Sequence, residues 1–167
     1  MTNAIEIAKK MEKDAIAFYK ESAKKTSHPV GKKMFLSIMV DEKRHLRMLG
    51  SIFKEVKIKA KEVSPMKNIK SIFEEMKHEL IERVEATTDE MNALKIAMGM
   101  EKNGVEFYKK SLKEAKTKKE RALFERLIKE EEQHYAVFAN TYFFMSDTGN
   151  WFMWEEHSIV DGGTPWA

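Results

Sequence analysis

Two Glu-x-x-His sequences are the residues of this chain whose types and spacing best suit chemistry. They are Glu42-Lys43-Arg44-His45 and Glu131-Glu132-Gln133-His134. On a helix, a carboxylate and an imidazole at this spacing lie one turn apart on the same face and can reach one metal ion. Each pair follows a further glutamate, Glu12 or Glu101, by thirty residues. One such pair is common on solvated helices, whereas two pairs that each follow a glutamate of their own at the same distance are a specific signal.

The charge of these residues indicates metal binding. All six side chains fall within apolar helical stripes that offer no Arg or Lys as a partner. Burying unpaired carboxylates costs several kcal/mol per ion, and two divalent cations would balance four of them. Oxygen and imidazole ligands suit iron or manganese better than structural zinc. We predict a dinuclear site in which Glu42 and Glu131 bridge the metals and Glu12 and Glu101 bind terminally. The alternative is a polar core network without metal.

The chain repeats itself at an offset of 89 residues. At this offset Met11, Glu12, Lys13, Phe18, Tyr19 and Lys20 fall on Met100, Glu101, Lys102, Phe107, Tyr108 and Lys109, and Phe35, Glu42 and His45 fall on Phe124, Glu131 and His134. The chain is therefore interpreted as a duplicated helical hairpin.

The elements that must position these residues are helices. Apolar residues recur every three or four positions, and no alternating strand pattern is found. Turn residues divide the chain into helices at about 3–25, 30–55, 88–115 and 118–145, with a connector helix at about 66–84. Thr87 or Thr88, followed by Asp89 and Glu90, is the expected cap of the third long helix. We predict an all-α four-helix bundle at 1–146 and an aromatic tail at 147–167.

Counting along the helices places the predicted ligands at one depth. Ser27, in the turn that connects the first two helices, lies fifteen residues from both Glu12 and Glu42. In antiparallel helices both carboxylates would therefore lie about 22 Å from the turn. Lys116, between the third and fourth long helices, lies fifteen residues from both Glu101 and Glu131. We expect all six side chains to form one layer across the bundle.

The composition excludes several classes of protein. The 167-residue chain has no cysteine, which excludes disulfides, a thiolate nucleophile, zinc fingers and iron–sulfur sites. A net charge of only +3 does not indicate a nucleic-acid partner. No stretch approaches the roughly 18 apolar residues of a membrane span, and charges interrupt the N-terminal segment where a secretory signal needs an apolar region. We therefore expect a cytoplasmic protein with no membrane or nucleic-acid partner.

With these motifs the chain resembles the ferritin-like di-iron carboxylate superfamily and, within it, the rubrerythrin branch. The superfamily pattern is one glutamate from each of two helices and a Glu-x-x-His from each of the other two. Glu12, Glu101 and the two Glu-x-x-His sequences match it, over about residues 3–145. The resemblance implies a ferritin-like bundle that holds two iron ions, with manganese or zinc as substitutes, and that reacts with hydrogen peroxide or dioxygen.

The chain departs from the rubrerythrin pattern at two points. Rubrerythrins typically carry a rubredoxin domain with four cysteines, which is absent here, so the resemblance implies an external electron donor such as a rubredoxin. They also usually have a further glutamate one turn after the ligand of the third helix, which exchanges with a histidine during peroxide reduction. Gly104 stands at that position. The resemblance therefore supports the metal site more strongly than it supports peroxidase activity.

Two tyrosines are candidate catalytic residues next to the ligands. Tyr19 and Tyr108 follow the upstream glutamates by seven residues on the same helical face. They could hydrogen-bond a ligand carboxylate or relay an electron, or they could be core tyrosines whose hydroxyls are satisfied elsewhere.

Two acids precede the histidines. Asp41 and Glu130 lie four residues before His45 and His134, within reach of an imidazole N–H on the same helix. They could orient the imidazoles, or they could be solvated surface acids.

The principal functional hypothesis is a rubrerythrin-type oxidoreductase that gives two electrons to peroxide or dioxygen and is re-reduced by a separate carrier. The alternative is a ferroxidase that binds, oxidises and stores or passes on iron. Oxygenation of an organic substrate is a third reading. The residues alone do not decide among them.

The tail is unusually aromatic, with Trp151, Phe152 and Trp154 within four residues. Such patches usually mark contacts. We expect the tail either to lie across a homodimer interface, as subunit pairing in the family suggests, or to pack against the helices of its own chain.

Overall fold

The structure is a computed structural model and describes residues 2–52 and 85–147. Within these ranges it contains no strand and four helices: α1 (Thr2–Lys25), α2 (Pro29–Ser51), α3 (Thr88–Glu114) and α4 (Lys118–Ser146). The all-α prediction is confirmed. The predicted connector helix at 66–84 and the aromatic residues of the tail lie outside the described residues. None of the described helices is long and apolar enough to cross a membrane.

Local sequence explains where the helices begin. Thr87 caps α3, because its hydroxyl accepts a hydrogen bond from the Glu90 N–H at 3.2 Å and its own N–H donates to the Glu90 carboxylate at 2.8 Å. Thr117 and Glu120 form the same capping box at α4, at 3.1 and 2.9 Å. Pro29 lies in the first turn of α2, where its missing N–H has no helical partner to lose.

Glu90 also sets the direction of α3. Its Oε1 accepts hydrogen bonds from the backbone N–H groups of Ser27 and His28, at 2.6 and 2.9 Å. The first turn of α3 therefore lies beside the α1–α2 turn. As a result α3 runs antiparallel to α1, and α2 and α4 are antiparallel in the same way. The bundle is two helical hairpins packed face to face, as the repeat predicted, and this is the ferritin-like arrangement that the resemblance implied.

Two apolar clusters fill the two ends of the bundle. The upper cluster, at the end with the α1–α2 turn, contains Tyr19, Ala23, Val30, Met34, Phe35, Ile38, Leu94, Ala97, Val137, Phe138, Phe144 and Met145. The lower cluster, at the end with the α3–α4 turn, contains Ile5, Ala8, Met48, Leu49, Tyr108, Ala115, Leu123, Phe124 and Leu127. Repeat-related residues such as Phe35 and Phe124 therefore occupy opposite ends, and the middle of the bundle is left to polar side chains.

Candidate metal centre

Two glutamates and two histidines form a cluster at mid-height in the bundle, between the upper and lower clusters. Glu42 and His45 come from α2, and Glu131 and His134 come from α4. One donor atom from each residue lies within 4.8 Å of those from the others. None of the four residues is more than 3% exposed. Ligand atoms this close together can hold a metal ion.

Each carboxylate of this cluster faces both imidazoles. Glu42 places one oxygen 2.9 Å from Nδ1 of His45 and the other 3.0 Å from Nδ1 of His134. Glu131 places its two oxygens 3.1 and 3.5 Å from the same two nitrogens. A carboxylate that presents one oxygen to each of two neighbouring positions has the geometry that a bridging ligand needs.

Glu12 and Glu101 complete this layer from α1 and α3. Glu12 lies 3.8 Å from Nδ1 of His45, and Glu101 lies 3.5 Å from Nδ1 of His134. The structure thus brings together all six side chains that the spacing predicted to be ligands, and we call them the ligand layer. The layer divides into a first half-site, with His45 and Glu12, and a second half-site, with His134 and Glu101. Both half-sites share the two central glutamates.

The two buried tyrosines reach the glutamate on the opposite helix. The hydroxyl of Tyr19 on α1 donates to Glu101 on α3, and the hydroxyl of Tyr108 on α3 donates to Glu12 on α1. Each ring belongs to one of the apolar clusters, so the tyrosines join the clusters to the ligand layer. Of the interpretations considered for these residues, hydrogen bonding to a carboxylate of the layer is the one that the structure contains.

Asp41 and Glu130 face the histidines from the far side of the layer, but not from their own helices. Glu130 on α4 is hydrogen-bonded at 2.8 Å to Nε2 of His45 on α2, and Asp41 on α2 lies 3.4 Å from Nε2 of His134 on α4. Pairing within one helix, one of the two alternatives for these acids, was wrong, because each acid faces the histidine of the other helix. The two imidazoles stack between α2 and α4, with ring centroids 5.3 Å apart, and each turns its outer nitrogen to the facing helix.

Two arginines that were not among the predicted residues hold these outer acids. Arg44 donates to Asp41 at 2.8 Å and to Glu130 at 3.0 Å, while Arg126 donates to Glu130 at 2.8 Å. The sequence does contain a signal, because each arginine lies three or four residues from an acid on its own helix. Within residues 2–52 and 85–147, no Lys or Arg forms an ion pair with a glutamate of the ligand layer.

Buried polar atoms that lack hydrogen-bond partners indicate that the layer binds a metal. In the described part of the chain, both oxygens of Glu42, Nδ1 of His45 and both ring nitrogens of His134 are buried without a hydrogen-bond partner. Such atoms are rare in native proteins, and a bound cation is one way to satisfy them. When Nε2 of His45 carries the proton shared with Glu130, Nδ1 has a free lone pair directed at the layer. These donors fit iron or manganese.

Without a cation, the surroundings of the layer favour protonation of four of its side chains. Burial and repulsion from Glu42 raise the pKa of Glu12 well above its ordinary value, and burial with repulsion from Glu131 and Glu42 does the same for the pKa of Glu101. Burial disfavours charged imidazoles, but attraction to Glu42 and interactions with the neighbouring carboxyl groups together outweigh it and raise the pKa of both histidines well above the ordinary value.

The pKa values of the two central glutamates shift in the opposite direction. Burial disfavours their charged form, but the surrounding imidazoles and carboxyl groups lower the pKa of Glu42 and Glu131. These directions favour a metal-free layer in which Glu12, Glu101 and the two histidines hold protons and the negative charge rests on Glu42 and Glu131. Two divalent cations would balance four carboxylates equally well. Protons and metal ions are therefore alternative ways to make this layer neutral.

A cavity of about 210 Å³ opens on the ligand layer between α1 and α3. Its lining includes the four glutamates of the layer, the two tyrosines and, at the protein surface, Asp14 and Asn103. Gly104 also lines the cavity, and a Cβ at this position would lie 3.5 Å from the Glu131 side chain. The outer acids and arginines lie between α2 and α4 on the other side. Small molecules can therefore approach the layer from the α1–α3 side.

Comparison with known proteins agrees with this geometry. The family model described as Rubrerythrin matches residues 3–142. No curated protein and no solved structure gave a significant match. The matched range contains the whole ligand layer, both tyrosines, and the four described helices except for the first residue of α1 and the last residues of α4. The chain therefore belongs to the rubrerythrin family.

Proposed function

We propose that this protein is a di-iron oxidoreductase that reduces hydrogen peroxide or dioxygen with electrons from an external donor. The observation that carries the proposal is the convergence within 4.8 Å of buried donor atoms from Glu42, His45, Glu131 and His134. Several of these atoms have no hydrogen-bond partner, so the cluster lacks a role in the fold that would explain it. Membership of the rubrerythrin family supports iron as the metal and redox chemistry as its use.

The proposal gives each side chain of the ligand layer a role. Glu42 and Glu131 would be shared by the two iron ions, while Glu12 and His45 would hold the first ion and Glu101 and His134 would hold the second. When bound, the iron pair supplies two electrons, which with two protons convert one peroxide molecule into two water molecules. The apolar clusters above and below the layer exclude water, which strengthens the electrostatic interactions within it.

The cavity supports a small oxidant as the substrate. Its volume of about 210 Å³ exceeds the roughly 30 Å³ that one water molecule occupies in the liquid, so peroxide or dioxygen fits beside the glutamates. Tyr19 and Tyr108 line the same cavity and orient Glu101 and Glu12 through their hydroxyl groups. These two hydrogen bonds hold the terminal carboxylates in place on the side from which the oxidant enters.

Anaerobic loading with ferrous iron, followed by rapid mixing, tests the proposal. The protein should bind two irons per chain, and the loaded form should consume one peroxide for every two irons oxidised. Glu132→Ala is the matched control, because this exposed neighbour of Glu131 pairs only with exposed Lys109 among the described contacts. The proposal fails if the chain binds fewer than two irons, or if the bound iron reacts with peroxide and dioxygen no faster than free ferrous iron.

Ferroxidase activity is a second candidate, favoured by the acidic lining of the cavity. Asp14 at the surface and Glu12 and Glu101 inside provide carboxylates along a path that an incoming cation could follow. Excess ferrous iron with dioxygen and no electron donor separates the two functions. A ferroxidase oxidises many irons per chain, whereas a donor-dependent enzyme stops after two and resumes only when a reductant such as reduced rubredoxin is added.

A further inference from the structure

We infer that the two half-sites bind metal unequally, and that Glu130 makes the half-site of His45 the tighter one. The second half-site, with His134, faces the shorter Asp41 instead. This inference rests on the proposed metal centre and adds to it the order in which the two ions bind.

The asymmetry begins at one repeat position. Asp41 and Glu130 are separated by the repeat offset of 89 residues, so they occupy equivalent places in the two hairpins. Glu130 has one more methylene group and reaches Nε2 of His45 at 2.8 Å with hydrogen-bond geometry. Asp41 stays 3.4 Å from Nε2 of His134, and that nitrogen has no hydrogen-bond partner. Because Glu130 is longer than Asp41, the imidazole of His45 is oriented by a hydrogen bond, whereas that of His134 is less constrained.

The arginines increase the difference. Arg44 and Arg126 both donate to Glu130, whereas the only arginine that donates to Asp41 in the described part of the chain is Arg44. Neither arginine has a charged counterpart in the repeat, since the equivalent positions are Gln133 and Ser37. Glu130 is thus fixed from three directions, by two guanidinium groups and one imidazole, and Asp41 is not.

A fixed outer carboxylate affects metal binding through the imidazole. It holds the proton on Nε2, leaves the Nδ1 lone pair directed at the layer, and makes the ring a stronger donor. Loss of such a partner typically weakens metal binding by about 10- to 100-fold. His134 must instead be oriented when the metal binds. The first ion should therefore occupy the half-site of His45.

Repulsion between two cations would also weaken the second binding step, even in a symmetric centre. Substitutions that change the length of the two outer acids separate this repulsion from the effect of Asp41 and Glu130. Asp41→Glu gives His134 a partner of the same length as Glu130, and Glu130→Asp gives His45 the shorter one. Neither substitution changes a residue of the ligand layer or its formal charge.

Anaerobic calorimetric titration with Mn²⁺ measures both binding steps. The natural chain should show two steps of different affinity. Asp41→Glu should reduce the ratio of the two affinities about tenfold by strengthening the weaker step, and Glu130→Asp should weaken the tighter step by about the same factor. Thermal melting of the metal-free variants should stay close to that of the natural chain, so that the changes report metal binding rather than folding.

Diffraction from crystals grown with one equivalent of Mn²⁺ identifies the half-site that fills first. Anomalous density beside His45 supports the inference, and density beside His134 or equal density at both positions overturns it. Two binding steps that neither substitution alters also overturn it, while the proposed metal centre stands. Binding of fewer than two ions by the natural chain rejects the metal centre and the inference together.

Discussion

The side chains of the apolar clusters and of the ligand layer are similarly buried in one bundle, but they contribute to stability in opposite ways. Phe35 in the upper cluster and Phe124 in the lower cluster are fully buried, and burial of such a side chain stabilises the fold by about 1.5–3 kcal/mol. The ligand layer buries carboxylates and imidazoles, which destabilise the fold unless protons or cations neutralise them. The two ends therefore support the fold, while the middle depends on what it binds.

The largest expected effect comes from the clusters. Phe35→Ala and Phe124→Ala should each lower the free energy of unfolding by about 3–5 kcal/mol, because each leaves a cavity among fully buried residues. Urea denaturation with and without a chelator measures this loss. It should be similar in both conditions, and each variant should still bind two metal ions. A loss seen only in the metal-loaded protein would show that the clusters depend on the layer.

Chelation should have the next largest effect, and this effect should depend on pH. Metal that binds only the folded state stabilises it by about 4 kcal/mol when its concentration is about 1,000 times the Kd. The raised pKa values of Glu12, Glu101 and the two histidines mean that these four groups bind more protons in the metal-free folded chain than in the unfolded chain. Stability from these groups is present at low pH and is lost as pH rises through the raised pKa values.

Protons therefore substitute for metal only under acidic conditions. Chelation should lower the melting temperature more at about pH 8 than at about pH 5.5, because fewer protons remain to neutralise the layer and fewer compete with the metal. Differential scanning calorimetry at the two pH values makes the comparison. Equal shifts at both would mean that the layer does not behave as a coupled cluster of acids and imidazoles.

Removal of the hydroxyl groups of the two tyrosines, which join the apolar clusters to the ligand layer, should have the smallest effect. Tyr19→Phe and Tyr108→Phe keep the aromatic packing and remove one hydroxyl that donates to a buried carboxyl group. Each should lower the free energy of unfolding by about 1–2 kcal/mol. Tyr135→Phe, at a surface position that is 39% exposed, is the control and should change little. Equal results for all three variants would show that the buried hydroxyls contribute nothing specific.

The helices and the ligand layer could be predicted because both follow from spacing along the chain. The Glu-x-x-His pairs, the upstream glutamates and the fifteen-residue distances from Ser27 define faces and depths on helices of regular rise. Thr87, one of two candidate caps, is confirmed by its capping box with Glu90. The Thr117–Glu120 capping box follows the same sequence rule but was not predicted.

Contacts between helices could not be predicted in the same way. Tyr19 binds Glu101 rather than a residue of its own helix, and Glu130 reaches across to His45, because both contacts depend on how the two hairpins pack. Spacing within one helix says nothing about the facing helix. The roles of Arg44 and Arg126 were missed for the same reason, since their acids could equally have been ordinary surface pairs.

Metal content after anaerobic loading with ferrous iron and dialysis tests the central claim most directly. The natural chain and Glu132→Ala should each retain two irons per chain by elemental analysis. Glu42→Ala and Glu131→Ala should each lose dinuclear binding, because each removes a carboxylate that faces both histidines. Full occupancy by two irons in both of these variants would contradict the bridging roles, and the absence of bound iron from the natural chain would contradict the metal centre itself.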